Sequence, residues 1–145
     1  MSGKPGTLSE ADRKLIDAAS EAIRKRYRYD WQEVGAALRM RSGKIFTGVS
    51  LDAYLGRMAV CAEAVALGQA VTQGENSIDT IVAVRHLGPD EKDRTIAVVS
   101  PCGACRELIW DYARSARVIV PGPKGPELVG IGDLIPNKYS RERGT

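Results

Sequence analysis

CAEAVALGQAVTQGENSIDTIVAV, residues 61–84, is the stretch on which the fold turns. Its first half sets Cys61, Ala62, Val65, Ala66, Ala70 and Val71 on one side of a helix that closes near Gly74. Its second half, Ile78 to Val84, is a mostly apolar run of strand length, the pattern of a strand covered on both faces. A helix feeding a doubly covered strand calls for helices packed on both sides of a sheet, because each apolar face must be buried against another element.

Toward the N-terminus, Thr7 to Arg26 carries Leu8, Ala11, Leu15, Ala18, Ala19, Ala22 and Ile23 at helical spacing, and Thr7 and Glu10 have the spacing of a capping box. After Tyr27 the period changes to two. Val34, Ala36, Leu38 and Met40 share a face, and Ser42-Gly43 offers a turn into Lys44 to Ser50, which together predict a β-hairpin. Toward the C-terminus, a strand over Thr95 to Val99 ends at Ser100-Pro101-Cys102, a helix holds Leu108, Ile109, Tyr112 and Ala113, and Val118 to Val120 forms a fifth strand. The remainder, with Pro121, Gly122, Pro123, Gly125 and Pro126, reads as turns leading to a short element around Ile131 to Ile135. The predicted class is therefore α/β, a three-layer α/β/α sandwich on a five-stranded mixed sheet, with residues 1–145 as one domain.

Composition narrows the function. With 43% hydrophobic and 27% charged residues the chain is expected to be a soluble globular protein. It has no apolar run of about 18 residues that could span a membrane. Met1 to Gly6 lack the apolar stretch of a secretory signal, so the cytoplasm is the expected compartment. A net charge of +3, scattered over the first helix, the hairpin and the segment Lys138 to Arg143, gives no groove for a nucleic-acid polymer. Three cysteines in a reducing compartment point away from disulfides and toward one shared purpose.

That purpose is a metal. Zinc favours sulfur ligands in a tetrahedron, and a catalytic site uses three protein ligands with the fourth position open. Cys102 and Cys105 lie about one helical turn apart, and Cys61 can arrive from the start of another helix. Helix N-termini favour thiolates through the dipole and free NH groups, and Arg106 adds a nearby cation. Glu63, two residues after Cys61, is placed to take a proton from zinc-polarised water and return it to a ring nitrogen and a leaving amine.

Cys61-Ala62-Glu63 followed by Pro101-Cys102-Gly103-Ala104-Cys105-Arg106 resembles the zinc signature of the cytidine deaminase family in its Cys-ligated form. Val34-Gly35-Ala36-Ala37-Leu38, Phe46-Thr47-Gly48 and Leu134-Ile135-Pro136 resemble further landmarks, so the likeness covers Tyr29 to Tyr139. It implies Zn2+ on Cys61, Cys102 and Cys105, Glu63 as proton shuttle, and backbone near Ala62 and Ser100 against the ring edge. It also implies a homotetramer and the hydrolytic deamination of a small nucleoside-like substrate, cytidine or deoxycytidine, to uridine or deoxyuridine and ammonia. Ser50 and Asp52 stand where the family holds ribose hydroxyls with Asn and Glu, and turn chemistry is the competing reading for both.

The family's aromatic near the base is replaced by Gln32, with Trp31 beside it, and Ala64 stands where Cys-ligated members often carry Arg, leaving Arg57 or Arg106 to compensate. Blasticidin S deaminases, a branch that shares the zinc signature and varies these substrate positions, give the alternative substrate. A non-catalytic zinc-containing binding protein of the same fold is the alternative of another class. His86, the sole histidine, reads as structural, and Trp110 and Tyr112 read as packing residues. Tyr139 is divided between the site and the core, and Arg141, Glu142 and Arg143 read as a solvated tail.

Overall fold

The structure, a computed structural model, describes residues 4–141, so Glu142 and Arg143 of the expected tail lie outside the described residues. In chain order the elements are α1 (Glu10–Arg26), β1 (Val34–Met40), β2 (Ile45–Val49), a short 3-10 helix (Gly56–Met58), α2 (Ala62–Thr72), β3 (Ile78–Arg85), β4 (Ala97–Val99), α3 (Gly103–Tyr112), β5 (Arg117–Gly122), β6 (Gly125–Gly130) and α4 (Ile131–Leu134). The sheet runs β2-β1-β3-β5-β6, and β4 also pairs with β3. One edge of β3 is shared: Thr80 to Val82 pair in parallel with β5, and Ala83 to Arg85 pair antiparallel with β4.

The mixed sheet thus has six strands rather than the expected five. The addition is β6, whose Gly and Pro content masked it; Pro121 and Pro126 face each other near the end of the β5–β6 hairpin, while Val118 and Leu128 lie within the paired stretch. Proline is tolerated there because a hairpin end loses little when an NH donor is removed.

Three layers follow from the alternation. Ala37, Val82, Val84 and Ile119 meet Leu15, Ala19 and Ile23 of α1 on one face. On the other, Ala36, Leu38, Met40, Ile81, Ala83 and Val118 meet Ala62, Ala66 and Ala70 of α2, Ile109 of α3 and Ile131 of α4. Fully burying each of the larger side chains contributes about 1.5–3 kcal/mol.

The α1 register differs from the stripe read in sequence. Ala11 is exposed and Asp12 is buried, and Ser9 rather than Thr7 caps the helix in a reciprocal box with Asp12. Asp12 is tolerated inside because Arg39 of β1 donates to it at 2.8 Å and also holds Asp79 at 3.0 Å.

Two glycines set the helices close to the sheet. A Cβ at Gly35 would lie 2.5 Å from the Ala19 carbonyl oxygen of α1, and one at Gly48 would lie 2.5 Å from the Ala66 nitrogen of α2. The second contact matters for function, because it fixes where the N-terminus of α2 can sit.

Candidate metal centre and active site

Two helix starts meet above the sheet. Cys61 is the N-cap residue of α2 and Cys102 that of α3, and Cys105 lies in the first turn of α3. The chain is delivered to Cys61 by a loop that Leu51 and Val60 pin together through two backbone hydrogen bonds of 2.9 Å. On the other side, the Cys105 NH donates to the Cys102 sulfur at 3.4 Å. Arg106 holds this turn in place, its Nε donating to the Pro101 carbonyl at 2.9 Å and its Nη1 to the Leu134 carbonyl at 3.0 Å.

The three sulfurs lie within 4.8 Å of one another, with Cys61 Sγ 3.6 Å from Cys102 Sγ. Zinc–sulfur bonds of about 2.3 Å in a tetrahedron separate sulfurs by about 3.8 Å, so the trio has the spacing of three corners around one ion. All three cysteines are free thiols. Without an ion the three sulfurs do not all favour the thiolate form. Burial pushes the Cys61 thiol up and Cys102 adds to it; burial, with Glu63 next, pushes Cys105 far up. At Cys102 burial acts upward too, but the Cys105 NH and the neighbouring thiols outweigh it and the net shift is down. Three adjacent sulfurs beside a carboxylate cannot all be charged without a metal, and a zinc dication removes that conflict.

Glu63 is 6% exposed. Burial raises its carboxyl above the ordinary range, and its own backbone NH and the Cys105 thiol offset part of that rise. A carboxyl poised upward inside a cleft is the form expected of a group that takes and returns a proton near neutral pH.

Glu63, Cys61 and Cys102 open into a cavity of about 390 Å³. Ser50, Asp52, Ala62 and Ser100, the four substrate candidates of the sequence, all line it. Ser50 also serves the backbone, since its Oγ accepts from the Glu33 and Val34 NH groups at 3.3 and 3.2 Å. Asp52 is exposed and its Oδ1 accepts from the Ala53 NH at 2.7 Å. Trp31 lines the cavity and packs edge-on against Tyr54 with ring centres 5.2 Å apart, whereas Gln32 is not among the lining residues. Trp31 and not Gln32 thus puts an aromatic ring on this cavity.

Sequence reasoning missed Asp30, Glu33, Leu51 and Val60 as lining residues. Asp30 sits at φ 62° in the tight turn that Arg28 and Gln32 close, so its direction depends on that turn and not on a strand period. Leu51 and Val60 face the cavity through their isolated pairing, which no local spacing encodes.

Elsewhere, His86 stacks on Tyr27 with ring centres 3.8 Å apart, in keeping with a structural role. Tyr139 is 78% exposed and borders another hollow, beside Lys138. Trp110 lies under Lys138 and Arg114, at 4.8 and 4.4 Å, while Tyr112 is half exposed. Arg57 is exposed on the 3-10 helix, and Arg106 is committed to carbonyl groups.

Residues 9–121 match the family model described as the cytidine and deoxycytidylate deaminase zinc-binding region. The chain is 47% identical to the blasticidin-S deaminase of Bacillus cereus over 138 residues, covering 95% of this chain and 99% of that one. It is 34% identical to a probable cytidine deaminase of Dictyostelium discoideum over 130 residues, covering 89% and 84%. In fold it superimposes on the crystal structure of cytidine deaminase from Burkholderia pseudomallei with a TM-score of 0.71 at 26% identity, covering 91% of this chain and 100% of that one.

Proposed function

The chain belongs to the cytidine and deoxycytidylate deaminase family, and from that premise we propose which ring it deaminates and how its own residues do so. It is a zinc-dependent hydrolytic deaminase acting on a small molecule. The reading supported best is removal of the exocyclic amine from a cytosine ring carried on a group other than plain ribose, as in blasticidin S. Cytidine and deoxycytidine, which stood first from the sequence alone, become the second reading, favoured by the similarity to cytidine deaminases.

The observation that carries the order is the pair Ser50 and Asp52. Ser50 spends its oxygen on two backbone NH groups, and Asp52 turns an oxygen back to its own chain. Both are shorter than the residues that grip ribose in the resemblance, and a buried hydroxyl left without a partner costs about 1–3 kcal/mol.

In this reading Cys61, Cys102 and Cys105 hold the zinc. Zinc, when bound, lowers the pKa of water toward 7 and so makes a nucleophile available at neutral pH. Glu63 would accept one proton of the attacking water and pass it to the ring nitrogen, then take the second from the oxygen now bonded to the amine-bearing carbon and give it to the amine, which departs as ammonia while that oxygen becomes the carbonyl. Backbone beside Ala62 and Ser100 orients the ring edge. Trp31, Val34, Leu51 and Val60 give the approach to the ring an apolar wall. Arg106 acts indirectly, by stapling the Cys102–Cys105 turn to the end of α4.

The three free thiols suit a reducing cytoplasm. The resemblance further supports a homotetramer, for which light scattering should return four times the 15.7 kDa chain mass. The activity is tested by ammonia release from blasticidin S, cytidine, deoxycytidine and cytosine with zinc-loaded protein. Turnover of blasticidin S above cytidine is expected; turnover of cytidine alone would restore the second reading, and ammonia from none of the four would reject both.

A further inference from the structure

Beyond α4 the chain has no regular element up to residue 141, yet it is fastened to the helix that presents Cys102 and Cys105. Among the described residues, two side chains make its polar contacts with α3. At one end Arg106 donates to the Leu134 carbonyl at 3.0 Å and to the Pro101 carbonyl at 2.9 Å, which ties α4 to the turn of the two sulfurs. At the other end the Lys138 ammonium lies 2.8 Å from Glu107 Oε2 and 2.8 Å from Asp111 Oδ1, with the Trp110 ring centre at 4.8 Å. Glu107, Trp110 and Asp111 stand at i, i+3 and i+4, so all three share one face of α3.

This lysine differs from the others that pair. Lys14, Lys25 and Lys44 are 71%, 65% and 68% exposed, and surface pairs of that kind contribute little. The Lys138 side chain is 3% exposed. It also donates to the Tyr139 carbonyl at 2.7 Å, so each of its three ammonium hydrogens has an acceptor. Asn137, at φ 53°, makes the turn that brings Lys138 back onto the helix, in a region that Asn enters more readily than most residues with a side chain.

We propose that Lys138 is a positioning residue of the metal centre: it locks the chain after α4 onto α3, holds the Leu134 carbonyl against Arg106, and so keeps the Cys102–Cys105 turn in its ligating arrangement. Only Ile135, Pro136 and Asn137 separate Leu134 from Lys138, so freeing the lysine frees the carbonyl as well. Lys138 does not line the cavity of Glu63, and its influence passes through Arg106, which holds the turn directly. Groups that support metal ligands from behind help set the affinity for the ion. The proposal rests on the three-thiolate zinc centre and is independent of which ring is deaminated.

The test reads zinc affinity in the full chain by competition with a chromophoric chelator. Lys138→Met should bind zinc about tenfold more weakly, the lower end of what such supporting residues contribute. Lys138→Arg, whose guanidinium can also pair with both carboxylates, should stay near the wild type. Glu107→Gln combined with Asp111→Asn alters two half-exposed groups, opens the same latch from the helix side and should reproduce the loss, so it carries the test if Lys138→Met does not fold. Arg106→Gln should weaken zinc at least as much as Lys138→Met, and adding Lys138→Met to it should change little, because both break one path. Cobalt loading supplies a signature of ligand geometry: the thiolate-to-metal charge-transfer band should change in Lys138→Met and be restored in Lys138→Arg. A lower melting temperature with wild-type zinc affinity and an unchanged cobalt spectrum would make Lys138 a tie of the fold alone and overturn the proposal. A Lys138→Met effect that persists in full beside Arg106→Gln would overturn it too. If the zinc and cobalt shifts are seen while the wild type releases ammonia from none of the cytosine compounds, the cytosine-ring reading fails and the positioning role stands.

Discussion

Glu63→Gln keeps the shape of the side chain and removes its capacity to carry a proton. Zinc content should stay at the wild-type value, because the substitution leaves all three sulfurs in place, while kcat should fall by about 10²–10⁴-fold, the usual contribution of a positioned acid–base group. Metal analysis and ammonia release on one preparation check both halves; an active variant would remove Glu63 from the chemistry. At this scale the sequence was most informative where chemistry depends on short spacing. Cys61 with Glu63, and Cys102 with Cys105, each lie within one helical turn, so spacing alone put them on common ground. Glu33 and Asp30 were not legible, because their place at the cavity follows from a turn closed between Arg28 and Gln32.

Among the elements, the contact of α2 with β2 carries the site. In Gly48→Ala the new methyl would lie 2.5 Å from the Ala66 nitrogen and 2.8 Å from the Ala62 carbonyl oxygen, so α2 must rise from the sheet. Overpacking of this kind costs about 1–3 kcal/mol, and here it also moves Cys61 away from Cys102. Denaturant melts should record the loss, and competition with a chromophoric chelator should record weaker zinc binding. An unchanged zinc affinity would show that α2 position does not set the metal site.

The α1 clamp gives a pH test. Burial acts to raise Asp12, but the Ser9 backbone and Arg39 outweigh it; the same competition at Asp79 is won by Thr80 and Arg39, so both carboxyls sit below their ordinary 3.8. A depressed carboxyl contributes stability that is present above its unfolded value and is lost as pH falls through the folded one. Melting temperature should therefore drop as pH is lowered below about 3.8, and Arg39→Met should reduce that drop. The same variant should cost about 3–5 kcal/mol at pH 7, since it leaves Asp12 buried without its partner. A wild-type acid limb in Arg39→Met would deny the clamp its role. The pattern of periods gave the layers, the shared face of Val34, Ala36, Leu38 and Met40 on β1, and the burial of β3 on both sides. It could not give Asp12, because a buried acid is set by a partner 27 residues away, nor β6, because its turn-forming residues outweigh its short apolar core.

For the whole molecule, a metal bound only by the folded chain stabilises it in proportion to its occupancy. At a free zinc concentration 100 times the dissociation constant the gain is about 2.7 kcal/mol, so stripping with a strong chelator should lower the melting temperature and zinc should restore it. An identical melt with and without metal would place the ion outside the fold.

X-ray absorption at the zinc edge on the purified protein, with Cys102→Ala beside it, reads the coordination of the ion itself. Three sulfurs at about 2.3 Å and one light oxygen or nitrogen atom are expected for the wild type, with one sulfur fewer or no retained zinc in the variant. Two sulfurs or four in the wild type, or a spectrum that Cys102→Ala leaves unchanged, would contradict a three-thiolate centre with an open position beside Glu63.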